Sequence, residues 1–219
     1  MSDDLRIYVA CLASYNSGVL HGAWIDCDGK DGDEISAEVA TMLRTSPYPN
    51  VTRRQCETCD HIQDDRPCVD ECDECPGALS APFPSAEEWA IHDNEGFGNL
   101  ISESTSFDDV AMIAEALNGD YALAFRWLIE DRGMTASDAA EKAEDVRIWE
   151  DDRGQSDETM LADYAESFID DTGGLEGCPD HLRNYIDFEA MGRDFRLGGD
   201  VDLATIDGTR FIVTNASQF

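Results

Sequence analysis

Apolar positions recur along this chain with two periods, near two and near 3.6 residues, and their alternation marks out the elements. Leu5 to Ala13 (LRIYVACLA) has the β-branched and aromatic content of a strand. Ser14 to Gly18 has turn chemistry, and Val19 to Asp26 returns as a second strand, so a hairpin is expected. After a polar loop, Asp28 to Asp33, helical spacing sets in at Ile35, Val39, Met42 and Leu43, and Pro47 and Pro49 end that helix. Ala86 to Asp93 reads as another strand, with Asn94 to Gly98 as a loop. Helical periods then dominate residues 100–145. Phe107, Val110, Ile113, Ala114 and Leu117 form one face, closed by Asn118-Gly119. Tyr121, Leu123, Ala124, Trp127 and Leu128 form a second helix, ended by Gly133. A third short helix runs to Asp145 from Ser137, with Thr135 as the alternative start, so a small helical bundle is the simplest account.

The stretch Val146 to Glu176 is the most one-sided of the chain. Leu161, Tyr164, Ala165, Phe168 and Ile169 share one helical face, and Asp163, Glu166 and Asp170 fall on the other. Asp157 and Glu158 stand at its start, Asp171 near its end, Ser156 or Asp157 can cap it, and Gly173-Gly174 stops it. Beyond it, His181 to Met191 reads as one helix. Leu203 to Ile206 and Thr209 to Val213 close the chain as a hairpin through Asp207-Gly208.

Charge changes the picture. The 219 residues carry a formal net charge of −33, with 48 acidic and 15 basic side chains. The excess is spread throughout: residues 1–50 hold eight acids and three bases, 51–82 repeat those counts, and 83–119 hold eight acids and no base. The whole surface is therefore expected to be negative, which argues against direct binding of nucleic acid or an anionic membrane and suits a basic partner. Salt-loving organisms also make acidic proteins poor in Lys, and here Lys30 and Lys142 stand against 13 Arg, so halophilic adaptation competes on composition alone. At 42% apolar residues the chain can bury a core, no run reaches the ~18 apolar residues of a membrane span, and the N-terminus lacks signal-peptide character, so a cytoplasmic site is expected.

Residues 51–82 change character. Cys56-x-x-Cys59 and Cys72-x-x-Cys75 are two thiolate turns, with His61 and Cys68 between them. Tetrahedral zinc needs four soft ligands, and two such turns can each present a pair. A structural zinc on Cys56, Cys59, Cys72 and Cys75 is the expectation, although His61 or Cys68 could replace one of the four, and a disulfide pair or unused thiols are the bland alternatives. Catalytic motifs are absent: there is no GxSxG, P-loop, GxGxxG before a helix, or HExxH, and Cys11, Cys27 and Cys178 read as small buried residues. The remaining alternative is a zinc-dependent regulator or enzyme built on the Cys cluster.

The opening IYVACLASYNSGVLHGAWID, with Tyr8, Tyr15, Asn16, Gly18, Gly22 and Trp24, resembles the N-terminal hairpin of the ArdA-type antirestriction proteins. EEWAIHD is similar to that family's matching segment, LADYAESFIDDTG (Leu161 to Gly173) resembles its antirestriction motif, and HLRNYIDFEAMGRDF continues the match. The resemblance covers roughly residues 5–45 and 86–215, and the Cys-rich segment lies outside it. It implies a non-enzymatic DNA mimic, a homodimer that occupies the DNA-binding site of type I restriction-modification enzymes and blocks restriction. The implied fold is α+β, an elongated chain of three small domains: 1–99, α+β with the Cys-rich insertion at about 46–85; 100–145, helical; and 146–219, α+β with the motif. Asp151, Asp152, Asp157, Glu158, Asp163, Glu166, Asp170 and Asp171 would then stand in for phosphates, and Leu161, Tyr164 and Phe168 would pack against the domain or its twin.

Overall fold

The computed structural model describes residues 4–150 and 156–219. Among the described residues the architecture is α+β, with three small antiparallel sheets of three strands each, a helical region and a Cys-rich cluster. Its contacts divide the chain into two compact units, Met1–Asn118 and Gly119–Phe219.

The first unit is built on β1 (Arg6–Cys11), flanked by β2 (Gly22–Asp26) and β6 (Trp89–Glu95). The hairpin is as expected, but a helical turn, α1 (Leu12–Asn16), replaces the end of the first strand. Its register sets Tyr8 opposite Trp24 and Ala10 opposite Gly22. A Cβ on Gly22 would lie 2.5 Å from the Val9 carbonyl oxygen and 2.7 Å from the Tyr8 hydroxyl, so only glycine fits there. The pairing of β1 with β6 shifts between Tyr8 and Val9, which leaves His92 as the bulged residue, edge-on to the Tyr15 ring at 4.9 Å. Ile7 and Val9 are fully buried, as are Ile35 and Val39 of α2 (Gly32–Arg44), whose Met42 and Leu43 complete the apolar face read from the sequence.

Asp31 starts α2 with a capping box: its carboxylate accepts from the Glu34 N–H, and the Glu34 carboxylate accepts from the Asp31 N–H. Asp31→Ala is expected to cost about 1 kcal/mol, measurable as a lowered urea midpoint with unchanged slope.

Between α2 and β6 lies a second sheet that hydrophobic periodicity did not mark, with β3 (Val51–Gln55) between β4 (Ile62–Asp64) and β5 (Phe83–Ser85). Arg44 fastens it to α2 by donating to the Gln55 side chain at 2.8 Å and covering the Phe83 ring at 4.1 Å.

Residues 100–145 do form three helices, α3 (Phe107–Asn118), α4 (Ala122–Glu130) and α5 (Ala136–Lys142). Of these, α3 packs on α2 in the first unit and the Phe107 ring stacks on Trp89 at 4.1 Å, whereas α4 and α5 belong to the second. Thr135, not Ser137, caps α5, its hydroxyl accepting from the Asp138 N–H.

In the second unit, β9 (Thr209–Val213) lies between β7 (Ile148–Glu150) and β8 (Asp202–Ile206). Asp207 and Gly208, both at positive φ, make the tight turn joining β8 to β9. Trp127 of α4 is fully buried, donates to Asp202 at 3.3 Å and is covered by Arg132. α6 (Asp157–Asp171) is capped by Ser156, whose hydroxyl accepts from the Thr159 N–H.

The helix expected over His181–Met191 is two helices, a short α7 (Asp180–Arg183) and α8 (Phe188–Gly198). Leu182 and Tyr185 are 45% and 84% exposed, so no buried face sustains a continuous helix, and Asp187 restarts it by accepting from the Ala190 N–H. α8 packs along α6, and Met160, Leu161, Tyr164, Val201 and Ile212 form the core beneath them, with Trp149, Phe195 and Leu203 at its edge. Among the described residues, no helix is long and apolar enough to cross a membrane.

Candidate metal centre and acidic surface

The two Cys-x-x-Cys turns fold into matching loops. The Thr58 N–H donates to Cys56 Sγ at 3.3 Å, and two residues past the start of the other turn the Glu74 N–H donates to Cys72 Sγ at 3.4 Å. The backbone bonds Cys56 N–H to His61, Glu57 N–H to Ala78 and Cys72 N–H to Gly77 draw the turns together. Gly77 is buried against the sulfurs, where a Cβ would lie 2.6 Å from Cys56 Sγ. The four sulfurs of Cys56, Cys59, Cys72 and Cys75 all lie within 4.8 Å of one another.

A tetrahedral ion at about 2.3 Å from each sulfur sets neighbouring sulfurs about 3.8 Å apart. The pairs Cys56–Cys75 at 3.6 Å and Cys59–Cys72 at 3.7 Å fit that shape. The cluster is thus able to hold a metal ion. Neither alternative ligand joins it: Cys68 is exposed at positive φ, and His61 contributes its backbone carbonyl to Cys56. The amide N–H groups of Cys59 and Thr58 hold the Cys56 thiol down at about 6. The His61 amide also lowers Cys59, but the Cys75 sulfur, burial and the Cys56 and Cys72 sulfurs outweigh it and push that thiol up to about 12. A thiol held low beside one pushed up by its neighbouring sulfurs is a donor set that gives up protons when a cation binds.

Arg54 has a role that sequence reasoning missed. From β3 its guanidinium donates to the carbonyls of Ser80 at 2.8 Å, Val69 at 3.0 Å and Leu79 at 3.4 Å, and so clamps the chain around the cluster. An arginine in a polar run carries no signal of such a role.

The expected phosphate surrogates separate into groups. Asp151 and Asp152 lie outside the described residues. Asp157 pairs with Arg210 and Asp170 with Arg183, each at 2.9 Å. Asp163, placed on the outer face by its spacing, is half-buried, because α6 packs on β-sheet residues and α8 and buries Met160 and Ala162 as well as Leu161, Tyr164 and Ala165, while Ile169 of the expected face is half-buried. Glu158, Glu166 and Asp171 are exposed and form no ion pair with another described residue. Leu161 and Tyr164 are consumed by the unit's own core, whereas Phe168 is 41% exposed and meets Phe195 edge-on at 5.4 Å.

Basic side chains elsewhere are similarly committed, as in Arg6–Glu95, Lys30–Glu38, Arg66–Asp73 and Arg126 with Glu130 and Asp207. Local pairing takes up most of the described cations and leaves an acidic excess.

The sequence pattern of the family described as antirestriction protein (ArdA) matches residues 7–208, from β1 to the turn before β9. The chain belongs to the ArdA antirestriction family. No curated protein matches it. ArdA proteins are non-catalytic, and membership makes this chain an antirestriction protein, a DNA mimic acting against type I restriction-modification systems. The match spans the Cys-rich segment as well as α6 and α8.

Proposed function

We propose that this ArdA protein acts as a homodimer in the cytoplasm of its host cell, seated in the DNA-binding groove of a type I restriction-modification enzyme, with one zinc ion stapling its Cys-rich segment. The observation that carries this reading is the acidic excess, 48 acids against 15 bases, with most of the described bases held in local pairs. Duplex DNA bears one charge per about 1.7 Å of axis, so twice the 33 net charges of one chain corresponds to about 110 Å of duplex. Arginine and lysine of a DNA groove pair with carboxylates as they do with phosphates, and release counterions in doing so. Asp151, Asp152, Asp157, Glu158, Asp163, Glu166, Asp170 and Asp171 contribute to that surface, with Glu158, Glu166 and Asp171 its unpaired exposed members. Zinc suits the site because four thiolates at tetrahedral spacing match its soft, d¹⁰ character.

Competition with duplex DNA for a purified type I methyltransferase core tests the proposal. Stoichiometric displacement of DNA is expected, with affinity falling steeply as salt rises. Failure to bind or compete at low salt would assign the acidity to solvation instead. The dimer is supported by Phe168, Leu182, Tyr185 and Leu197, large apolar side chains left exposed along α6 to α8. Phe168→Asp is expected to weaken it, seen as a shift toward monomer in sedimentation at micromolar concentration, and an unchanged profile would remove Phe168 from the interface.

A further inference from the structure

We propose that the four-cysteine centre is a redox-gated site, at which an oxidant of the peroxide class couples Cys56 to Cys75 and Cys59 to Cys72 and expels the metal. This rests on the metal reading above and adds a regulation to it. The sulfur positions carry the inference. Cys56 and Cys75 stand 3.6 Å apart and Cys59 and Cys72 3.7 Å apart, so these two pairs use every sulfur once, and both run between the turns. A disulfide needs about 2.05 Å, so each pair closes by roughly 1.6 Å, a shift within reach of side-chain rotation. The remaining short contact, Cys59 to Cys75 at 3.4 Å, also crosses from one turn to the other.

Access orders the steps. Cys59 is exposed and Cys75 half-buried, while Cys56 and Cys72 are buried. The Cys59 thiolate breaks the O–O bond of a first peroxide, becoming a sulfenic acid and releasing hydroxide. The Cys72 thiolate then attacks that sulfur, forming the S–S bond and releasing a second hydroxide. A second peroxide acts in the same way at Cys75, with Cys56 as the resolving thiolate. The four thiolates lose four electrons, two peroxides become four hydroxides that take up protons as water, and the metal leaves as an unchanged divalent cation.

The outcome differs from simple metal loss. The interior of this segment is Cys56, Cys72 and Leu79, with Cys75 packed on them, so sulfur is both its staple and its core. Links between the turns keep the segment closed after the metal has gone, whereas chelation under reducing conditions leaves it with neither staple.

The test uses the full chain carrying Cys68→Ser and Cys178→Ser, which removes two accessible thiols outside the cluster. The reduced, zinc-loaded protein is titrated with hydrogen peroxide beside a chromophoric zinc chelator, and the disulfides are mapped by mass spectrometry without reduction. One zinc is expected to appear for about every two peroxides consumed, with Cys56–Cys75 and Cys59–Cys72 as the links and with reductant restoring zinc binding. Zinc retained at about tenfold excess of peroxide, links within one turn, or sulfinic acids in place of links would each overturn the proposal. A reduced chain that takes up no zinc would refute the metal reading instead, and the links formed on it would still decide the pairing.

Discussion

Cys72→Ser should abolish zinc binding and unfold residues 56–79, while the β2-β1-β6 sheet of the same unit stays intact. The segment cannot stand on apolar burial, because its core is two buried cysteines and Leu79, with Cys75 packed against them. A structural zinc contributes about 10–16 kcal/mol of apparent binding free energy at neutral pH, far more than burying one leucine at about 2 kcal/mol. Serine preserves size but binds zinc poorly, so the staple is lost with little change in packing volume. The first sheet has its own core in Ile7, Val9, Ile35 and Val39, which the substitution does not touch. Amide hydrogen exchange gives the readout: protection should vanish across 56–79 and persist in β1, β2 and β6. Protection that survives both the substitution and a chelator would mean that the Arg54 clamp and the backbone bonds suffice.

The second large effect is expected at Gly192. This residue sits where α8 crosses α6, and a Cβ built on it would meet the Leu161 carbonyl group, 2.6 Å from its carbon and closer still to its oxygen, with Leu161 Cβ at 2.9 Å. Two of the three contacts are backbone, which cannot rotate away, so the helices must separate. Replacing a helical glycine ordinarily gains up to about 1 kcal/mol of propensity, but overpacking costs about 1–3 kcal/mol, and valine adds β-branching. Gly192→Val should therefore destabilise the second unit by about 2–3 kcal/mol in urea unfolding followed by tryptophan fluorescence. Gly198→Ala is the control, because its Cβ meets only the Asp200 carboxylate, at 3.4 Å. Equal stability of Gly192→Val and the parent chain would show that α8 can ride away from α6 at no cost.

Periodicity made part of this fold legible. The hairpin β1–β2, the helices α2 to α5 and the closing hairpin all follow from apolar spacing and turn residues, and Asp207-Gly208 adopts the positive φ pair that its dipeptide requires. β3 escaped notice because Arg53, Arg54 and Gln55 show no apolar alternation, and its neighbours fold around sulfur instead of hydrocarbon. The break between α7 and α8 was hidden because Leu182, Tyr185 and Ile186 keep helical spacing even though the first two face solvent. Cysteine spacing gave the four clustered sulfurs but could not exclude Cys68 or His61, which took backbone geometry to set aside. A helical wheel placed Asp170 outward, and Asp157 stood at the helix start, but neither position reveals Arg183 and Arg210, which arrive from other elements.

The sulfur cluster has an electrophoretic consequence. Cys59 and Cys75, both held above an ordinary thiol by their neighbouring sulfurs and by burial, keep their protons at neutral pH when no ion is bound, whereas Cys56 is held down at about 6. A divalent cation that takes all four as thiolates expels those protons and leaves a centre of net charge −2. Loading this protein with a positive ion thus leaves it no less anionic, and the metal-bound form should migrate toward the anode at least as fast as the metal-free one.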